Sequence, residues 1–313
     1  MARVVTTGTT PGPPGEGRSI ASRLAALVVA ARPRQWTKNV LVFAAPLAAG
    51  LADHWSPASR ALATFGLFCL VSSGSYLVND ALDAEADRAH PLKRTRPVAA
   101  GLVAVPVALG AGVALEAAGV ALAGLLTWRL VVTLAVYVAV QVAYNLRLKH
   151  LPVWDLVCVA SGFVLRAIAG GVAVAVPVSQ WFLIVATFGS LLMVTGKRLA
   201  ELLELGDGGG AHRKTLDDYS ATFLRTILAI SAAGASIGYA LWAFDLHTAL
   251  RHDSSPIWFE LSIVPVLIAL LHYTFLVEKG EGARPERLVL GDRSLQVLGL
   301  AWALLLGVGV YGR

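Results

Sequence analysis

The sequence predicts an all-α integral membrane protein built from about nine spanning helices. Two observations carry that prediction. Of 313 residues, 56% are hydrophobic and 15% charged, with a mean hydropathy of +0.67, a balance that excludes a disordered or ordinary soluble chain. Apolar segments of about 20 residues, the length that crosses a bilayer's hydrocarbon, recur from near residue 40 to the C-terminus. Backbone N–H and C=O groups find no water at that depth, so the spans are helices or a closed barrel. Long runs without period-two alternation select helices. Cys69 and Cys158 both lie in apolar stretches, where they read as small hydrophobes and give no disulfide framework or metal cluster.

Taken in order, residues 1–20 are rich in Gly, Pro and Thr and lack an apolar core, so they read as a disordered cytoplasmic tail and not as a cleavable signal peptide. Residues 21–313 read as a single transmembrane domain. Residues 21–36 set Arg23, Arg32, Arg34 and Trp36 around a short apolar stretch, which suits an amphipathic segment at the membrane surface. Spans are expected at 38–53, 59–80, 98–119, 125–146, 153–173, 178–204, 221–244, 257–278 and 291–312. Nine spans put the termini on opposite sides. Twenty-one of the 26 Lys and Arg fall on the side of the N-terminus, four on the other, and Arg166 inside a span. Because an excess of Lys and Arg marks the cytoplasmic side, the N-terminus is expected in the cytoplasm and the protein in the inner (plasma) membrane. Trp36, Trp154 and Trp258, near span ends, read as interfacial anchors.

The same face carries Asp80, Asp83, Glu85, Asp87, Asp155, Glu201, Glu204, Asp217 and Asp218. Topology needs only Lys and Arg, so these acids ask for a second explanation, and metal-bridged phosphate binding is one. The strongest signal is Asn79-Asp80-Ala81-Leu82-Asp83-Ala84-Glu85-Ala86-Asp87. If the second span continues through it, Asn79, Asp83 and Asp87 share one helix face, with Asp80 beside Asp83. Stacked carboxylates repel without a cation among them, and Mg2+ takes one or two carboxylates plus substrate phosphates. A solvated acidic helix end is the plain alternative, but position at the end of an apolar span favours function.

The basic stretch from Arg88 to Pro97 follows directly, and its Lys93 and Arg94 suit a diphosphate whose charge exceeds that of one Mg2+. Arg88 alone reads as ordinary topology charge. Arg166 inside a span requires a polar cavity or partner. Eleven residues separate it from Asp155, about 16 Å of helix, so a phosphate or an acid on another helix is the better partner. On position alone Lys38 reads equally as a snorkelling cation and as a phosphate ligand. Tyr144, Arg147 and Lys149 close the fourth span, where the two cations serve topology as well as a site. His90, His150 and His212 lack zinc-ligand spacing. Gly208-Gly209-Gly210 reads as a movable cover without the pattern of a nucleotide-binding loop.

These residues resemble the UbiA superfamily of intramembrane prenyltransferases. The resemblance rests on N-D-x-x-D-x-x-x-D followed by a basic stretch ending in Arg-Pro, and it runs from about residue 30 to 312. It implies a nine-helix bundle with a cytoplasm-facing polar cavity and a Mg2+-diphosphate site. Arg32-Pro33-Arg34-Gln35-Trp36-Thr37-Lys38-Asn39, Asp87 to Lys93, Arg166 to Gly171 and Gly196 to Leu202 are similar to a narrower branch. That branch transfers 5-phosphoribosyl from phosphoribosyl diphosphate to decaprenyl phosphate, toward the lipid-linked arabinose donor of cell-wall arabinan. Aromatic prenyltransferases of the superfamily carry a second D-x-x-x-D motif after the sixth span. Here the stretch reads Gly196-Lys197-Arg198-Leu199-Ala200-Glu201, cationic where carboxylates are expected, although Asp217 and Asp218 offer a partial replacement.

The resemblance implies Asp80, Asp83 and Asp87 as Mg2+ ligands and, with Lys197, as the catalytic set. It implies substrate contacts from Lys38, Asn79, Lys93, Arg94, Tyr144, Lys149, Arg166, Arg198 and Glu201. A spare carboxylate, Asp83 or Glu201, is left for the ribose hydroxyls or the anomeric carbon. The expected partners are phosphoribosyl diphosphate, decaprenyl phosphate and the lipid bilayer, with no nucleic acid. Homo-oligomerisation stays open. Two other readings compete: transfer of a prenyl group from a prenyl diphosphate to an aromatic or other small acceptor, and transport of anionic solutes. Transport is disfavoured because the sequence shows no internal repeat and gathers its charge at one face.

Overall fold

Among the described residues of the computed structural model, eight helices are long and apolar enough to cross a membrane. The structure describes residues 20–51, 53–205, 214–250 and 256–312, so the expected tail before Ile20 and the Gly208–Gly210 cover lie outside the described residues. Helix α1 (Ile20–Ala30) precedes a 3-10 helical segment (Pro33–Phe43) and the short α2 (Ala44–Ala48). Next come α3 (Trp55–Leu82), α4 (Ala84–Ala89), α5 (Val105–Ala123), α6 (Trp128–Leu146) and α7 (Trp154–Ala173). The chain continues with α8 (Gln180–Leu205), α9 (Lys214–Asp217), α10 (Ala221–Leu250), α11 (Ile257–Glu278), α12 (Pro285–Gly291) and α13 (Arg293–Tyr311). The eight spanning helices are α3, α5, α6, α7, α8, α10, α11 and α13.

The expected first span, 38–53, is not one of them. Its residues form the 3-10 segment and α2, a stretch that keeps polar Gln35, Lys38 and Asn39. It still runs antiparallel to α3: Arg32 pairs with Asp80, Trp36 Nε1 donates to Ser73 Oγ, Asn39 Nδ2 lies 3.4 Å from Cys69 Sγ, and Phe43 meets the Phe65 ring. Moving from Asp80 to Phe65 covers about 22 Å of α-helix at 1.5 Å per residue. Residues 32 to 43 cover the same distance at about 2.0 Å per residue, the rise of a 3-10 helix. Trp36, expected only as an interfacial anchor, is thus also hydrogen-bonded to the bundle.

The other large departure is at 98–104, apolar but not helical. A left-handed turn at Gly101 (φ 71°) folds it back, and Val98 and Val103 pack beneath the end of α3 with Ala81, Ala84 and Ala108. Helix α5 starts only at Val105, with Pro106 in its first turn, where a missing N–H costs nothing. Asp292 caps α13 by accepting from the Leu295 N–H at 2.8 Å, and that bond holds its carboxyl below the usual carboxylate range.

Two-thirds of the apolar stretch of α3 (67%) is buried inside the protein, against 17% for α13; α3 is the central post and α13 faces lipid. In lipid, helices associate through close backbone approach at small residues. On α3 and α5 this is met by Gly74 against Gly112: a Cβ on Gly74 would stand 2.6 Å from the Gly112 carbonyl oxygen. Leu130, Leu134 and Tyr137 of α6, with Phe68 and Val71 of α3, bury the space between these helices and α7. A second cluster, including Leu192, Leu199, Leu224, Leu228, Tyr273 and Val277, joins α8, α10 and α11.

Candidate active site

The charged end of the bundle holds a cavity of about 780 Å³, a volume suited to one small-molecule substrate. Its walls are α3 (Ser72, Ser75, Tyr76, Asn79), the 3-10 segment (Gln35, Lys38), α6 (Tyr137, Gln141, Tyr144, Asn145), α7, α8 and the start of α12. Arg32, Lys38, Lys93, Arg96, Arg166, Lys197 and Arg198 face four carboxylates, Asp83, Glu201, Glu204 and Glu286. The excess of cations suits a polyanion. Val159, Phe163, Met193 and Val194 give the side between α7 and α8 an apolar wall.

The acidic motif does not assemble as one face. Helix α3 stops at Leu82, Asp83 sits between helices at φ −91°, ψ 3°, and α4 restarts at Ala84. Asp83 lines the cavity and is ion-paired with Lys149, itself 6% exposed. Asp80 and Asp87 are buried behind the cavity's arginines and do not line it: Asp80 Oδ1 accepts from Arg32 and, at 3.4 Å, from Arg96, while Asp87 Oδ2 accepts from the same Arg96 Nη1 at 2.6 Å. The three carboxylates expected as metal ligands, Asp80, Asp83 and Asp87, are thus not brought together on the cavity wall. Among the described residues no three His, Cys, Asp or Glu gather as a metal-binding group, because Arg96 supplies the counter-charge for two of the three. The residues do fit a cation that borrows most of its shell from substrate. Asn79 and Asp83 offer hard oxygens to the cavity, and the buried Asp80 Oδ2 has no hydrogen-bond partner.

Arg166 is 5% exposed and meets only neutral groups among the described residues. It donates to Asn39 Oδ1 (2.7 Å), the Gly162 carbonyl (2.5 Å) and Tyr137 Oη (3.0 Å), and lies over the Phe68, Tyr137 and Phe163 rings. No carboxylate cancels its charge there, so its field remains available to an anion in the cavity. Lys38 stands 6.0 Å from the Phe163 ring centroid, with no carboxylate at ion-pair distance among the described residues. Lys197 is half-exposed, 3.6 Å from Glu201.

Arg198 is more constrained than expected for a phosphate clamp. It donates to Asp155 at 3.0 Å and to Glu201 at 2.8 Å. Asp155 also accepts from Tyr219 Oη at 2.5 Å, and Tyr219 accepts from the Val153 N–H at 2.6 Å. Burial and the Asp155 carboxylate push the Tyr219 phenol well above its usual range, so it remains a donor. Arg198 thus ties α8 to α7 and, through Asp155, to Tyr219 just before α10. Arg94 is exposed and off the cavity, whereas Lys93 lines it; Asp217 and Asp218 are exposed and do not line it.

A sequence profile described as the UbiA prenyltransferase family matches residues 40–298. The chain belongs to the UbiA prenyltransferase family. It is 47% identical over 290 residues to a decaprenyl-phosphate phosphoribosyltransferase from Corynebacterium glutamicum, covering 91% of this chain and 86% of that one. It is 45% identical over 295 residues to the protein of the same name from Mycolicibacterium smegmatis, covering 91% and 92%. The fold is similar to that of a UbiA homolog from Archaeoglobus fulgidus bound to GPP and Mg2+, with a TM-score of 0.67 over 92% of this chain and all (100%) of the other at 20% identity.

Arg32, Arg96 and Glu286 line this UbiA cavity and are not among the site residues that the sequence predicts. Arg32, expected at the membrane surface and in a stretch that carries the resemblance but not in the site, is held at φ 54°, a left-handed conformation that costs a non-glycine residue of order 1 kcal/mol. Its guanidinium bonds to Asp80 and covers the Tyr76 ring at 4.9 Å. Arg96 was passed over for Arg94, although Pro97 was the signal: a residue before proline is driven out of the helical region, and Arg96 at φ −63°, ψ 142° extends back toward the aspartates. Glu286 lay in Arg284-Pro285-Glu286, a proline-led helix start far from the recognised motifs.

Proposed function

We propose that this chain transfers the 5-phosphoribosyl group from phosphoribosyl diphosphate to decaprenyl phosphate, releasing diphosphate. This is a step toward a lipid-linked arabinose donor for cell-wall arabinan, placed at the cytoplasmic face of the inner (plasma) membrane, with residues 21–313 acting as one catalytic unit. The observation that carries the reading is the cationic cavity wall, with Lys197 and Arg198 where prenyl-diphosphate enzymes of the resemblance carry acids. The name shared by relatives at 45% and 47% identity supports it.

A bond forms between an oxygen of the lipid phosphate and the anomeric carbon as the bond from that carbon to the diphosphate oxygen breaks. The acceptor is already anionic and needs no general base, so charge on the leaving diphosphate is what the site must stabilise. Asn79 and Asp83 are the residues suited to hold Mg2+ with the substrate phosphates; when bound, the ion supplies charge neutralisation on the diphosphate. Lys38, Lys93, Arg166 and Lys197 hold phosphates by charge-assisted hydrogen bonds, and together they orient the donor. Arg96 keeps Asp80 and Asp87 in place, and Arg198 with Asp155 and Tyr219 steadies the wall that carries Lys197. The isoprenoid tail leaves along the apolar wall of Val159, Phe163, Met193 and Val194, which brings a membrane lipid and a soluble sugar phosphate to one site.

The test uses purified protein in detergent with Mg2+, decaprenyl phosphate and phosphoribosyl diphosphate labelled in the ribose. Label is expected to pass into organic solvent and to stay in water when EDTA is added. Consumption of a prenyl diphosphate with an aromatic acceptor, and no movement of label, would overturn the reading. Lys197→Ala is expected to raise the apparent KM for phosphoribosyl diphosphate by about tenfold, the value of one charged hydrogen bond. An unchanged KM removes Lys197 from the clamp.

A further inference from the structure

We propose that Glu286 recognises the neighbouring hydroxyls of the donor sugar and so selects a sugar phosphate over a prenyl diphosphate, an inference that rests on the phosphoribosyl reading above. Asp83 and Glu201 were the carboxylates expected for that role, and both are engaged elsewhere. Asp83 is paired with Lys149, and Glu201 lies 3.6 Å from Lys197 and 2.8 Å from Arg198. Glu204, one turn beyond Glu201 toward the end of α8, is exposed, as Glu286 also is, but its charge does not reach Lys38 and Lys197 as that of Glu286 does. Glu286 lines the cavity from α12 and has no carboxylate-to-cation pair among the described residues.

Its position is built. Pro285, buried, opens α12, and Leu288 anchors the helix in the core cluster shared by α8, α10 and α11. The charge of Glu286 reaches both Lys38 and Lys197, two of the cations assigned to the phosphates. A carboxylate beside a phosphate site repels the phosphates themselves, so the part of the ligand that suits it must be neutral and rich in hydrogen-bond donors. Two adjacent hydroxyls meet that demand, one donating to each carboxylate oxygen. A prenyl chain offers no donor, and its approach would strip Glu286 of water with no replacement.

The experiment measures inhibition of phosphoribosyl transfer by ribose 5-phosphate and by 2-deoxyribose 5-phosphate, in the wild type, Glu286→Ala and Glu286→Gln. The wild type is expected to bind the ribose compound about tenfold more tightly, the value of one hydrogen bond to a charged group. Both variants are expected to lose most of that preference while still binding the 5-phosphate. If the two compounds shift by the same factor and the preference survives, Glu286 is a charge-balancing group and the proposal is wrong. If the unaltered enzyme ignores phosphoribosyl diphosphate and consumes a prenyl diphosphate, the underlying reading fails, and this is seen without any variant.

Discussion

Asp83→Ala is expected to reduce lipid-linked label by about 1000-fold or more, the scale of losing an electrostatic stabiliser of a leaving group. Asp83 stands at the break between α3 and α4, the one carboxylate of the acidic motif on the cavity wall. Its removal takes away a hard oxygen for a phosphate-bound cation. It also takes away the carboxylate that Lys149, almost fully buried, holds. Both effects fall on the site and not on insertion, because Asp83 lies past the apolar stretch of α3. Asp83→Asn keeps the volume and removes the charge that both effects depend on, so activity should fall nearly as far. The measurement is the label-transfer assay with a size-exclusion profile of each variant in detergent. Full activity of a monodisperse Asp83→Ala protein would remove Asp83 from the chemistry.

Gly170→Ala is expected to destabilise the folded protein more than any other glycine substitution in α7, by about 3 kcal/mol or more. A Cβ at Gly170 would overlap the carbonyl oxygen of Val42 and crowd Pro46 Cδ. The first obstacle is backbone, so no flexible side chain can swing aside, and the 3-10 segment must leave α7. Overpacking a core costs about 1–3 kcal/mol even where side chains can yield, and here the cost should lie at or above the top of that range. The check is the thermal midpoint of the monodisperse fraction in detergent, beside Gly110→Ala, a helical glycine with open space around it. Equal midpoints for both variants and the wild type would contradict the close approach of α7 to residues 42–46.

The spans from 125 onward were legible because each is an apolar run closed by charge or by loop residues; α6, α7, α10, α11 and α13 begin within a few residues of the expected starts. The stretch 98–104 was misread because hydropathy reports burial and not conformation: Val98 and Val103 are buried in turns. The expected first span, 38–53, is no plain helix, and the polar groups at its start are satisfied by residues distant in sequence, Asn39 by Arg166 and Ser72. In the site, cations at the ends of apolar helices announced themselves, and most of them do line the cavity. Their pairing did not. Whether Asp87 meets a metal or Arg96 depends on one helix break at Asp83, and whether Arg94 or Arg96 turns inward depends on a short turn before Pro97.

The antiparallel 3-10 segment bears on how the chain is made. Insertion machinery weighs each emerging stretch by its own hydrophobicity, and a Lys or Arg near the centre of a would-be span costs about 2.5–3.5 kcal/mol. Residues 33–43 carry Arg34 and Lys38, so this stretch is poorly placed to enter the bilayer by itself. One of the groups that satisfies Asn39 is Arg166, 127 residues downstream, and the groove that receives Val42 is completed by Gly170 on the same helix. The N-terminal crossing is therefore expected to be seated late in biosynthesis, after α7 has emerged, although it is translated first. Truncations ending before residue 154 should leave it accessible to a water-soluble thiol reagent at an introduced cysteine, and chains extended past residue 173 should protect it.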